Sequence, residues 1–180
     1  MFKTRVKFNY RDYLSLPEDK RYEIIEGELA MVPSPGWSHQ TISMKIFQIL
    51  AQYVASTNIG EVRYAPIDVI FSEENVLQPD ILYIAKERSG IIEERGVEGA
   101  PDLVVEILSH ATRQKDKGIK RKIYAKYGVK EYWIVDSENR TIEVSSLGKK
   151  GLETTQVYPE GSTFSSPLLK GFSFSVKNIF

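Results

Sequence analysis

Glu106 stands within Leu103-Val104-Val105-Glu106-Ile107-Leu108, a run whose other members all demand burial. A carboxylate in that setting loses several kcal/mol of hydration unless it is paired, protonated or bound to a metal. Taken alone, Glu106 reads equally as a salt-bridged structural glutamate and as a cation ligand. Asp80 precedes a second apolar run, Ile81-Leu82-Tyr83-Ile84. That places it at the mouth of a strand, where open α/β sheets commonly hold ligands, although an Asp after Pro79 also suits a plain turn. The pair says more than either residue. Two carboxylates on neighbouring strands can converge on one hard divalent cation, and magnesium takes oxygen ligands while keeping several of its waters. Asp102 repeats the Pro-Asp pattern but lies on the same strand as Glu106, roughly 13 Å away at about 3.3 Å per residue. It is read as a residue that starts the strand.

Other residues gather around this pair. The alternation Tyr22, Ile24, Glu26 sets Glu26 on a face with two core candidates, so it is either a third carboxylate over the cation or a solvated turn residue beside Gly27. His39 falls on the stripe that includes Ile42 and Ile46. It suits a hydrogen-bonded core histidine, a ligand or a proton shuttle. Residues 113–130 carry eight basic side chains against one acid, Asp116. Arg113, Lys115 and Lys117 are its candidates for contacts to a nucleic-acid backbone, against the plain reading of a solvated helix face. Asp116, Lys120, Tyr124 and Gly128 form an i, i+4 stripe. Lys120 is either half of a weak surface pair with Asp116 or a cation that stabilises charge near the metal, with Tyr124 as an accessory.

These residues need a scaffold, and the pattern supplies one. Strand-like runs at 22–26 and 28–32 flank Gly27, and a short helix-compatible stretch at 9–16 precedes them. Apolar residues at spacings of three and four mark a helix over 38–53, and Ile119, Ile123 and Tyr127 mark a second over 112–127. Strands are expected at 67–71, 80–85, 103–108, 131–135, 141–145, 154–157 and 172–176. The runs at 80–85 and 103–108 are almost continuously apolar, as in central strands covered on both faces. The order implies an α/β fold, a mixed sheet flanked by helices.

The 180 residues, 42% of them hydrophobic, suit one domain spanning 1–180. Twenty-four basic and 24 acidic residues cancel, so any polyanion site must be local. The absence of cysteine excludes thiolate catalysis and Cys-type zinc sites and fits a reducing compartment. With no apolar leader or long apolar run, a cytoplasmic protein with no membrane contact is expected. No phosphate-binding Gly-rich loop, zinc-protease helix or serine-hydrolase elbow is present.

The strings Tyr22-Glu23-Ile24-Ile25-Glu26-Gly27-Glu28-Leu29, Gln78-Pro79-Asp80-Ile81, Ala100-Pro101-Asp102-Leu103-Val104-Val105-Glu106-Ile107-Leu108-Ser109, Asp116 through Lys120, and Tyr124 through Asp136 occur in this order. They resemble the Uma-type endonuclease family of the PD-(D/E)XK nuclease superfamily. The resemblance implies a restriction-endonuclease-like fold and metal-dependent hydrolysis of phosphodiester bonds in nucleic acid, with DNA as the expected substrate. It implies Mg2+, with Mn2+ as a substitute, on Asp80, Glu106 and the carbonyl of Ile107. It makes Glu26 the accessory acid and places His39 at a family-typical histidine. The superfamily lysine would stand two positions after the glutamate, where this chain has Leu108. Lys120 matches the position of a lysine moved to the following helix. Further expectations are a possible homodimer and two rival functions: a nuclease fold that binds nucleic acid or protein without cutting, and a hydrolase using Glu26 and Glu106 on a small substrate.

Overall fold

The computed structural model describes residues 6–17 and 19–180. Helix α1 (Tyr10–Tyr13) is held by a reciprocal cap, in which the Asn9 side chain accepts from Arg11 and Asp12 while Asp12 accepts from the Asn9 N–H. Strands β1 (Tyr22–Ile25) and β2 (Glu28–Met31) form a hairpin in which Ile25 pairs with Glu28, so the loop is only Glu26-Gly27. Both loop residues have positive φ, 51° and 80°, as a two-residue turn matching the strand twist requires. Helix α2 (Trp37–Thr57) buries Ile42, Ile46, Leu50 and Val54 and ends on Asn58 in the left-handed region. It is longer than the expected 38–53, by one residue at its start and by the turn from Val54 to Thr57 at its end, where only Val54 is buried.

The chain then lays down β3 (Gly60–Tyr64), β4 (Asp68–Ser72), β5 (Asn75–Leu77), β6 (Ile81–Ala85), β7 (Ile92–Glu93), β8 (Gly96–Glu98) and β9 (Leu103–Ile107). The expected second helix follows in three parts: α3 (Arg113–Lys115), a π-helical turn (Asp116–Lys120) and α4 (Arg121–Tyr127). Gly128 closes it in the left-handed region. Strands β10 (Glu131–Asp136), β11 (Thr141–Gly148), β12 (Gly151–Pro159), β13 (Thr163–Ser165) and β14 (Ser173–Ser175) complete the chain.

The main sheet runs β12-β11-β10-β9-β6-β3, with only β9 and β10 parallel. A second sheet runs β2-β1-β5-β4-β8-β7, and β13 pairs with β14. The fold is a mixed-sheet α/β architecture, as expected. One face of the main sheet packs Val105, Ile107 and Trp133 against α2 residues Ile46 and Leu50 and the C-terminal aromatics Phe164 and Phe172. The opposite face packs Leu82, Val104 and Ile134 against Val69 of the second sheet and Ile123 of α4. Strands β6 and β9 are thus covered on both sides, which is why their sequences are continuous apolar runs. Glu106 lies on the second face, between that sheet and the helix.

Asp102 behaves as a strand-start residue. It is fully buried, accepts the Ala85 N–H at 2.8 Å, and pairs with Lys130 at 2.7 Å and Arg88 at 3.1 Å. Burial opposes its charge, but the Ala85 N–H and the two cations outweigh burial and hold its pKa below the usual carboxylate value. A pKa depressed by folding gives stability that is complete above the unfolded value near 3.8 and is lost as pH falls through the folded value. Asp102→Asn is therefore expected to cost about 1–3 kcal/mol at pH 7 in urea titrations, with the gap to wild type narrowing as the pH is taken into the acid range. Equal midpoints at pH 7 would contradict this role.

Candidate active site

The antiparallel register of β6 and β9 pairs Ile81 with Val105. Continued by one step, it sets Asp80 across from Glu106, where side chains of opposed residues stand close on one face. The ladder has ended there. In its place the Asp80 carboxylate, through Oδ2, accepts the Ile107 N–H at 2.7 Å. The same oxygen meets His39 Nε2 at 3.2 Å. His39 projects from the first turn of α2, and its ring also lies against the Ile107 backbone. Burial disfavours the imidazolium, but the hydrogen bond and charge of Asp80 prevail and raise the His39 pKa.

Across the pair, the helix supplies a buried cation. Lys120 Nζ lies 3.0 Å from Glu106 Oε1, 2.9 Å from Glu23 Oε1 and 3.5 Å from Asp116 Oδ1, with only 5% of its side chain exposed. Tyr124, fully buried, donates to the same Glu106 oxygen at 2.6 Å. Asp116 and Lys120, four residues apart, share the face of the helix that is turned inward, and the π-helical turn that spans them is a distortion often found at functional sites. Burial raises the pKa of Glu106 well above the usual carboxylate value, and the neighbouring acids add to this against the pull of Lys120. Burial likewise penalises the Lys120 charge, yet Glu106, Glu23 and Asp116 overcome it and keep the ammonium charged. Burial and Glu106 together push the Tyr124 phenol up, so it stays a neutral donor.

Two expected members are not brought together with this cluster. Glu26 sits in the hairpin turn, exposed, beside a recess formed with Lys7, Phe8 and Glu28. The acid that reaches Lys120 from the N-terminal hairpin is Glu23, which also accepts the Gln78 N–H at 2.9 Å. Alternation could not distinguish them, because β1 is buried on both faces from Glu23 to Ile25. The signal available in the sequence was Glu26-Gly27 as a two-residue turn, which removes Glu26 from the strand. Arg113 is the second correction. Its guanidinium is engaged by Asp136 at 2.8 and 3.1 Å and by Glu138 at 2.6 Å, so it ties the helix to the end of β10 and the turn after it. Lys115 and Lys117 are exposed.

Asp80, Glu106, Ile107, His39, Asp116 and Lys120 line one cleft of about 310 Å³. Among the described residues, the hydrogen bonds and ion pairs of the two acids fall on Asp80 Oδ2 and Glu106 Oε1, leaving Oδ1 and Oε2. No three His, Cys, Asp or Glu side chains among the described residues form a ready cage for a metal ion. The donors left over are two hard carboxylate oxygens. That set fits a cation such as magnesium, which is held by one or two carboxylates and keeps its waters, better than a fully ligated ion.

The family model for Uma2, described as "Putative restriction endonuclease", matches residues 10–177. The chain belongs to this family. A crystal structure described as a putative nuclease belonging to DUF820, from Anabaena variabilis ATCC 29413, is similar at 23% identity and a TM-score of 0.80, covering 96% of this chain and 97% of that one. It shares the fold. Comparison with curated proteins finds no match. No helix among the described residues is long and apolar enough to cross a membrane.

The cluster makes a quantitative expectation. Lys120→Ala leaves three buried acids without their cation and should cost about 3–5 kcal/mol. Glu106→Gln introduced into that variant should recover part of the loss. In a double-mutant cycle by urea denaturation, effects that add to within about 0.5 kcal/mol would show that the two residues are not coupled.

Proposed function

We propose that this member of the nuclease family is a magnesium-dependent endonuclease that hydrolyses phosphodiester bonds in DNA, with Asp80, Glu106 and the Ile107 carbonyl as the protein ligands of the ion. The observation that carries this reading is the pair of acids at the ends of adjacent strands, opening into one cleft beside a buried, charged lysine. Bound there, magnesium would neutralise a non-bridging phosphate oxygen and lower the pKa of an attacking water.

The chain's own residues do the rest by fixing geometry before the substrate arrives. The Ile107 N–H and His39 hold one Asp80 oxygen, which orients the other. Lys120 and Tyr124 do the same for Glu106. Such preorganised charge needs no rearrangement as the reaction proceeds. Of the three Lys120 contacts, the one to Asp116 is longest, at 3.5 Å. That N–H is the one free to turn toward negative charge developing on the phosphate. Exposed Lys115 and Lys117, beside Asp116 in sequence, supply local attraction for a polyanion on a chain whose net charge is zero.

The test is magnesium and manganese titration by calorimetry, with plasmid cleavage in parallel, on wild type, Asp80→Asn, Glu106→Gln and Lys120→Ala. Metal binding should vanish in both carboxylate variants. Lys120→Ala should lower the cleavage rate by about 10²–10³ once shown to be folded. A wild-type chain that binds neither metal and cuts nothing would leave the carboxylates structural and make the non-cutting binding module the correct reading.

A further inference from the structure

Helix α2 carries a second stripe besides the one it buries. Trp37, Thr41, Met44 and Gln48 recur every three or four residues on its outer side, and with Phe47 and Tyr64 they border a recess of about 560 Å³. Trp37 is 90% exposed, Tyr64 57% and Met44 53%. Tyr64, on the edge strand β3, packs edge-on against Phe47 with ring centroids 4.6 Å apart. Exposed aromatic side chains collected in one hollow mark a binding surface more often than chance placement does. The recess adjoins the carboxylate cleft, since Gln40, Ser43 and Tyr64 line both. Trp37 stands two residues before His39, which touches Asp80.

We propose that this recess seats an unpaired nucleobase of the substrate next to the scissile phosphate, so that the enzyme prefers single-stranded or locally opened nucleic acid. The inference rests on the nuclease reading above. None of the residues lining the recess is charged, so it offers a phosphate no opposite charge. It offers aromatic faces on which a base can stack and, from Gln40 and Gln48, amide groups suited to a base edge. A duplex keeps its base faces inside the stack, whereas a single strand presents them, and stacking on aromatic side chains is how sequence-tolerant single-strand binders hold their ligand. Its volume is that of a small-molecule pocket. A second copy of the chain would call for a broad face of about 800 Å² per partner, whereas this hollow is lined by both apolar and polar residues and shares Gln40, Ser43 and Tyr64 with the cleft.

Trp133 is buried against Phe164, so a change in tryptophan emission on ligand addition reports Trp37. A short single-stranded oligonucleotide containing 2-aminopurine, added to wild type in EDTA, should quench that emission. Trp37→Ala should weaken its binding about 5- to 100-fold and Trp37→Phe much less. Duplex binding and thermal midpoint should hardly change, since the side chain is exposed. Equal single-strand affinity in wild type and Trp37→Ala would overturn the proposal. So would a shift from dimer to monomer in sedimentation with oligonucleotide affinity unchanged, which would assign the recess to a second copy. With magnesium present, a wild type that cuts DNA while Trp37→Ala keeps its full rate on single strands removes this inference alone. A wild type that neither binds nor cuts either form removes it together with the nuclease reading.

Discussion

One ammonium group shared by three acids organises the centre of this molecule. Lys120 draws Glu23 from the N-terminal hairpin, Glu106 from a central strand and Asp116 from its own helical turn into a largely buried space at the floor of the cleft. Each carboxylate alone would be expelled or neutralised at that depth. Around a single cation they become mutually dependent, and the three elements that carry them are held at fixed separations. Three acids face one lysine, and burial together with their mutual repulsion raises the pKa of Glu106 and Asp116 despite the pull of Lys120.

Some of this was legible in the sequence and some was not, for identifiable reasons. Strands β6 and β9 announce themselves because burial on both faces leaves no room for polar residues, and the one that persists, Glu106, stands out for that reason. The nearness of Asp80 to Glu106 follows from two such strands being neighbours. Both long helices show in their apolar spacing. Lys120 was harder: the i, i+4 spacing sets it on one face with Asp116, but an acid and a base so spaced ordinarily lie at the surface, and burial of both depends on what packs over that face. Glu23 was hidden by a strand covered on both sides. The engagement of Arg113 depends on Asp136 and Glu138, more than twenty positions away, a distance at which local pattern is silent. The short strands β3, β7 and β8 mix polar residues and glycine and leave little periodicity to detect.

Lys120 comes from the helix and not from the strand that carries Glu106, which changes what the residue after that strand can do. Leu108 is buried in the core beneath the helix. With an apolar side chain there, β9 can be sealed along its length, and the cation arrives instead from an element packed across the sheet. The amine is positioned by a helix packed against the sheet and not by a strand end, where the backbone is already committed to the ladder.

The division of these groups along the chain has a consequence for how the protein comes into being. Glu106, Asp116, Lys120 and Tyr124 all belong to the strand-helix-strand segment from β9 to β10, whereas Glu23 and Asp80 are delivered by parts that lie earlier in the sequence and must dock onto it. The lysine-glutamate pair lies within one contiguous segment, but the two acids of the cleft meet only when the earlier strand carrying Asp80 packs beside β9. Under the proposed reading, cleavage of nucleic acid is then a property of the finished molecule alone, and immature copies are chemically silent.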